Sequence, residues 1–284
     1  MIRSWMAGLV GGLLLSAGSA FAYEANDQCG SAQVVNLGAF STVSTFSGNT
    51  CNATPDTLSH CRPYAAPDVF YRFTVNQRSL VYVDAFSSTY DTVLFFTDVC
   101  STEQNKGFEC VDDQCGTLQS QMVQLFEPGT YYLVVSGFGG QCGAFNIHFQ
   151  HLPASDVLYK LPESSQFSSS TDNMANRGVP LLTDRTQSTC SGSYGGRDVT
   201  HYYTTCPSYL GGTLSATTCG LASFDTVLYF RQGNTPAVAC NDDACGLQST
   251  ISGAVTPGAA LRALYTDGYS SSSFGDFSIN LSRP

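Results

Sequence analysis

The sequence is poor in charge. Only 12% of its 284 residues are Asp, Glu, Lys or Arg, about half the usual ~25%. Cations are the scarcer sign: 12 Lys+Arg stand against 22 Asp+Glu, a formal net charge of −10. A chain so short of cations cannot neutralise phosphates, which argues against nucleic acid and against anionic membrane surfaces as partners. Beyond the first 22 residues no run approaches the ~18 continuous apolar residues of a transmembrane helix. Gly 27 and Pro 11 are close to ordinary usage, which excludes collagen-like and low-complexity sequence.

Catalytic signatures are missing as well. H-E-x-x-H, G-x-S-x-G and the phosphate-binding P-loop are absent. The four His, at 60, 148, 151 and 201, occupy no duplicated positions, so a Ser-His-Asp triad lacks a base. His201 reads as a strand-surface or core residue. Paired carboxylates can hydrolyse glycosides, but the pairs here are consecutive residues in a loop too small to form a cleft. The expectation is a protein without catalytic activity.

What the chain has is an export segment, cysteine and aromatics. Residues 1–22 combine Arg3, an apolar Gly-rich run from Trp5 to Leu15 and the small-x-small site Ala20-Phe21-Ala22. That pattern predicts a signal peptide cleaved after Ala22, leaving 23–284 at a charge of −11. All 12 cysteines lie beyond it. Their closest spacing is C-x4-C with no His nearby, which does not suit zinc. An even count in an exported chain reads as disulfides. The expected location is secreted or cell-surface.

The chain also repeats itself. Asp68-Val69-Phe70-Tyr71 recurs as Asp198-Val199-Thr200-His201, and Tyr90-Asp91-Thr92-Val93-Leu94 as Phe224-Asp225-Thr226-Val227-Leu228. Cys110-Val111-Asp112-Asp113-Gln114-Cys115-Gly116 recurs as Cys240-Asn241-Asp242-Asp243-Ala244-Cys245-Gly246. Leu118-Gln119-Ser120 returns as Leu247-Gln248-Ser249, and Pro128-Gly129 as Pro257-Gly258. The offsets stay between 129 and 134, as a tandem duplication requires. Two domains are expected, 23–152 and 153–284, joined near Pro153, with the Ser-rich stretch Ser164–Thr171 a loop of the second. Within each copy, short runs rich in Val, Tyr, Phe and Thr are separated by Gly, Asn, Asp and Pro. Phe70–Val75, Leu80–Phe86, Thr92–Thr97, Met122–Phe126, Tyr131–Ser136 and Phe145–Phe149 read as strands. No helical stripe stands out beyond the signal peptide. The fold class is therefore all-β: two tandem jelly-roll-like antiparallel β-sandwich domains, stapled by disulfides.

The ordered set Asp-Val-Phe-Tyr-x-Phe-Thr (68–74), Tyr-Asp-Thr-Val-Leu (90–94), Cys-x-Asp-Asp-x-Cys-Gly (110–116), Leu-Gln-Ser (118–120), Pro-Gly-Thr-Tyr-Tyr (128–132) and Gly-x-Phe-x-Ile (143–147) resembles the bacterial pre-peptidase C-terminal (PPC-like) domain group. The likeness covers nearly all of 23–284, twice. It implies a non-catalytic jelly-roll sandwich accompanying secreted enzymes or surface proteins. Some members bind calcium, and some bind insoluble polymers such as collagen. Domain two departs from the pattern at Thr200-His201 and at Ala259-Ala260-Leu261.

Read from the repeat, Cys110–Cys115 and Cys240–Cys245 close small loops in both copies. Cys206 and Cys219 occur only in the second copy, flanking an expected hairpin at Gly212–Thr217, and pair by co-appearance. Cys29 and Cys142 are missing from the second copy and pair across neighbouring first and last strands. Cys51 and Cys61 close another loop. Cys100 and Cys190 remain, open to an inter-domain bridge; a rival scheme pairs Cys190 with Cys219. Connectivity stays open at this level.

The main polar constellation is the aspartate pair in each small loop, Asp112 with Asp113 and Asp242 with Asp243. Adjacent carboxylates repel unless a cation lies between them. Calcium, which takes six to eight oxygens, would fit, with Asp91 and Asp225 as third ligands if their strand ends meet the loops. The bland alternative is solvated Asx turns. The expectation is one calcium ion per domain, in a secreted binding, adhesion or structural protein acting on an extracellular polymer or protein surface, or on itself. The rival role is an accessory or targeting module for a separate secreted hydrolase such as a peptidase.

Overall fold

The computed structural model describes residues 24–40, 42–57, 64–100, 107–161, 166–170, 196–233 and 235–284. The expected signal peptide, Cys61 and Cys190 lie outside the described residues. The first half contributes β1 (Gln33–Val35), β2 (Ser44–Asn49), β3 (Val69–Val75), β4 (Ser79–Asp84), β5 (Thr92–Thr97), β6 (Gly107–Val111), β7 (Gln121–Phe126), β8 (Gly129–Gly137) and β9 (Ala144–Pro153). The second contributes β10 (Val157–Lys160), β11 (Gln166–Ser170), β12 (Val199–Thr205), β13 (Gly212–Thr217), β14 (Thr226–Gln232), β15 (Thr235–Asn241), β16 (Thr250–Val255), β17 (Ala260–Gly268) and β18 (Ser278–Ser282).

The sheet orders are β1-β3-β8-β5-β6 and β2-β9-β4-β7 in the first half, then β10-β12-β17-β14-β15 and β11-β18-β13-β16 in the second. The halves share one topology, strand for strand, and no sheet mixes them. All pairings are antiparallel except the edge pairs β1–β3 and β10–β12, which are parallel. The chain is thus two jelly-roll-like β-sandwiches in tandem. Two expectations change. Gly212–Thr217 is not a hairpin but the single strand β13, which pairs with both β16 and β18. Ser164–Thr171 is not simply a loop, because β11 lies within it and pairs with β18.

Period-2 alternation decides what each strand faces. Tyr71, Phe73, Val81, Val83, Leu94, Phe96, Leu133 and Phe149 fill the first core. Leu214, Leu228, Phe230, Leu264, Ile279 and Leu281 fill the second. The alternate residues of several strands are buried too. Phe70, Val93, Phe95 and Val134 form a small cluster on the outer face of the first sheet, against Cys29 and Ala32. Leu80, Tyr82, Leu152 and Ala154 of the first half pack on Val227, Tyr229, Leu261, Ala263 and Tyr265 of the second. This third core explains why β4, β14 and β17 are buried along their whole length.

Polar groups at this junction are paired. The Gln150 Oε1 accepts from Leu261 N at 3.0 Å, and the Tyr265 hydroxyl donates to Pro153 O at 2.8 Å. Gln121 Nε2 donates to the Tyr82 hydroxyl and to Thr205 O, both at 2.8 Å. A lost buried pairing of this kind leaves a desolvated group costing about 1–3 kcal/mol.

The disulfides are Cys29–Cys100, Cys51–Cys142, Cys115–Cys206 and Cys219–Cys245. Cys110 and Cys240 are also disulfide-bonded. All five pairings expected from the repeat are therefore replaced. Cys110 does not reach Cys115 because it sits inside β6, opposite Phe95, facing the outer cluster, whereas Cys115 lies in the turn beyond. Cys240 is likewise held in β15, opposite Tyr229, away from Cys245. Cys142 leaves Cys29 for Cys51, not Cys61, because Thr50 N donates to Gly143 O at 3.0 Å. That contact brings the two cysteines' Cα atoms to 4.9 Å. Cys219 meets Cys245 instead of Cys206 because Thr218 N donates to Ser249 O at 3.0 Å.

A duplicated aspartate cluster, the candidate cation site

The site forms where the β5–β6 hairpin opens. Leu94 pairs with Val111, so the antiparallel register carries Asp91, just before β5, towards Asp112 and Asp113, just after β6. The second half repeats this through Leu228 and Asn241, which carry Asp225 towards Asp242 and Asp243. Behind the cluster, the Ser120 hydroxyl donates to Thr92 O at 2.5 Å and Ser120 N to Thr92 Oγ1 at 2.9 Å. Ser249 makes the corresponding bond to Thr226 O. The first loop then reverses through Cys115 and Gly116, both at positive φ (58° and 71°), as a two-residue primed turn requires. The closing bond runs from Thr117 N to Gln114 O, at 3.0 Å.

The structure brings all six predicted aspartates together, three in each half. One carboxylate oxygen from each of Asp91, Asp112 and Asp113 lies within 4.8 Å of the others, and the same holds for Asp225, Asp242 and Asp243. Asp113 and Asp243 face solvent. In contrast, Oδ1 of Asp91, Asp112, Asp225 and Asp242 is buried without a hydrogen-bond partner. Burial, then the neighbouring carboxylates, pushes Asp112 and Asp242 up to about 6. Asp91 and Asp225 are raised by burial and by Asp113 and Asp243 respectively. Such shifts mark like charges confined without a counter-ion. An all-oxygen donor set suits a hard divalent cation of the calcium or magnesium type, and lacks the nitrogen and sulfur that zinc prefers.

No such cluster forms around the histidines. His148 bonds Asp84, Nδ1 to Oδ1 at 3.0 Å, His151 is buried against Phe40, and His201 is buried in β12, stacked on Tyr159. His60 lies outside the described residues.

Sequence reasoning missed the rim of the site. Leu118 O accepts from Thr92 N, and Phe138 N donates to Asp91 O, each at 3.0 Å. In the second half Leu247 O accepts from Thr226 N at 2.9 Å, and Tyr269 N donates to Asp225 O at 3.1 Å. All four side chains are exposed. The available signal was an apolar residue retained in both copies of a Gly-rich loop, Gly137-Phe138 and Gly268-Tyr269.

Compared with known proteins, the chain matches no family model and no curated relative. Among solved structures it is similar to the CUB1-EGF-CUB2 domain of human MASP-1/3, at 7% identity and TM-score 0.25, over 88% of this chain and 100% of that one. It is also similar to a protein presumed to be secreted, from Eubacterium rectale, at 10% identity and TM-score 0.25, over 84% of this chain and 74% of that one. At that TM-score neither likeness carries a function across, and the architecture rests on the strand pairings themselves. No helix among the described residues is long and apolar enough to cross a membrane.

Proposed function

We propose that the protein is a secreted or cell-surface, non-catalytic binding or structural protein of two domains, meeting near Pro153, each holding one calcium ion in its aspartate cluster. The observation that carries this reading is the recurrence of the same three-carboxylate geometry in both halves, at the same hairpin register. Solvated turns would have no need to bury Asp91 with an unpartnered oxygen. Asp91, Asp112 and Asp113 would hold one ion, and Asp225, Asp242 and Asp243 the other. The ion would supply the missing positive charge and fasten the open end of each hairpin. Water and backbone carbonyls would complete the six to eight oxygens that calcium takes. An oxidising location is supported by the cysteines, since all ten described are disulfide-bonded. The role this fits is adhesion, matrix association or polymer attachment.

The test is a thermal melt of oxidised 23–284 with calcium and then with excess chelator. At free calcium 100-fold above Kd each site adds about 2.7 kcal/mol, so chelation lowers Tm by several degrees. An unchanged Tm makes the aspartates turn residues and removes calcium from the function.

A further inference from the structure

We propose that each aspartate cluster is the floor of a docking surface for a lysine or arginine side chain of a partner protein, with the duplicated apolar rim receiving that side chain's aliphatic stem. The proposal rests on the calcium reading and names the partner chemistry of the same site. Leu118 is 55% exposed and its counterpart Leu247 56%, while Phe138 is 38% exposed and Tyr269 36%. Two apolar residues have thus stayed in solvent, to nearly the same degree, in both copies. A packing role would have buried them, and apolar side chains kept exposed beside a polar site mark an interaction surface.

Their placement is built in. The Asp91–Thr92 backbone is hydrogen-bonded to Phe138 on one side and to Leu118 on the other, and Asp225–Thr226 to Tyr269 and Leu247. Gly137 and Gly268 hold the aromatic in place, because a Cβ there would collide with the backbone oxygen of Gln141 or Ser273. The floor points to a cation. Asp91 is only 9% exposed and its Oδ1 has no hydrogen-bond partner. Three carboxylates with one divalent ion retain a net charge of about −1, and Asp113 and Asp243 stay exposed to receive a partner's charge. The chain's own charge of −10 opposes anionic polymers and anionic lipids. A lysine or arginine matches both parts, laying its methylene stem along apolar surface while its head reaches carboxylates; the Phe138 or Tyr269 ring adds a cation–π contact.

The test is retention of the oxidised protein on an immobilised random lysine–leucine copolymer, in calcium and in chelator, with calcium loading of each sample measured by titration calorimetry. The expected result is calcium-dependent retention that weakens about tenfold or more in the variant Leu118→Ser, Phe138→Ser, Leu247→Ser, Tyr269→Ser, whose calcium titration is unchanged. Equal retention on a glutamate–leucine copolymer overturns the proposal. So does retention by phosphatidylglycerol vesicles in place of the lysine copolymer, and so does a rim variant that binds like the parent. If calorimetry shows no calcium binding, the calcium reading fails. Rim-dependent retention in chelator then still upholds the docking surface, and its absence overturns it.

Discussion

Cys115 of the first half is bonded to Cys206 of the second, their Cα atoms 5.6 Å apart. Cys115 is two residues past Asp113, and Cys206 immediately follows β12. Its repeat counterpart, Cys245, is bonded instead within its own half, to Cys219. Equivalent cysteines therefore do different work: one ties the aspartate loop to the neighbouring sandwich, the other ties it to its own.

That asymmetry gives a stability prediction. The sequence separations are 91 for Cys115–Cys206 and 26 for Cys219–Cys245. Chain-entropy arguments assign each bond about 2–4 kcal/mol, with about 1 kcal/mol more for the longer loop. Denaturant unfolding of Cys115→Ser/Cys206→Ser should show the larger loss, and Cys219→Ser/Cys245→Ser the smaller. Equal losses would mean that the third core already closes the longer loop without the bond.

The junction should make the two sandwiches unfold together. Tyr229 and Tyr265 stack there with centroids 4.7 Å apart and planes 8° from parallel. A Cβ on Gly233 would collide with the Gln150 side chain, which cannot swing away without giving up its bond to Leu261 N. Gly233→Ala should therefore cost about 1–3 kcal/mol by overpacking, and Tyr265→Phe about 1 kcal/mol for its lost hydroxyl bond. Calorimetry should show one transition in the parent, splitting into two in Gly233→Ala as the halves uncouple. A single transition in both, at the same temperature, would show that Gly233 does not couple the halves.

Much of this architecture is legible in the sequence, and the exceptions share a cause. Thr92–Thr97 emerges as β5 with the expected bounds, because a β-branched and aromatic run between turn residues leaves little choice. The six aspartates could be grouped because the repeat marks them twice. What could not be read is anything set by contact between distant surfaces. Tyr82 and Asp84 alternate with Val81 and Val83 as a solvent face would, yet both are buried; only the second sandwich explains that. The disulfides failed for the same reason. Proximity in sequence suggested Cys110–Cys115, whereas strand register separates those two. A parallel edge strand such as β1 carries no local pattern that distinguishes it from an antiparallel one.

The aspartate cluster predicts a change of sign. Asp112→Asn removes a half-buried charge that nothing pairs in the absence of metal. In chelator the variant should be more stable than the parent by roughly 1 kcal/mol, discounted for solvent screening at a partly exposed loop. In calcium it should be less stable, because a ligand has gone. Melts in the two buffers check this, and a variant that shifts the same way in both would remove Asp112 from any metal site.

Two histidines on β9 should respond to pH in opposite directions. The hydrogen bond to Asp84 raises His148 above its ordinary value of 6.5, against the opposing effect of burial. A raised histidine contributes stability that is complete below the unfolded pKa and is lost as pH rises through the folded one. Burial instead lowers His151 to about 4. The unfolded chain then takes up a proton near 6.5 that the folded chain refuses, so stability falls progressively as pH drops from about 6.5 to about 4. Unfolding free energies of His148→Gln and His151→Gln, measured in urea from pH 4 to 8, separate the two. His148→Gln should flatten the loss on the alkaline side, and His151→Gln the loss on the acid side. An acid limb unchanged in His151→Gln would move the acid sensitivity of this fold to its carboxylates.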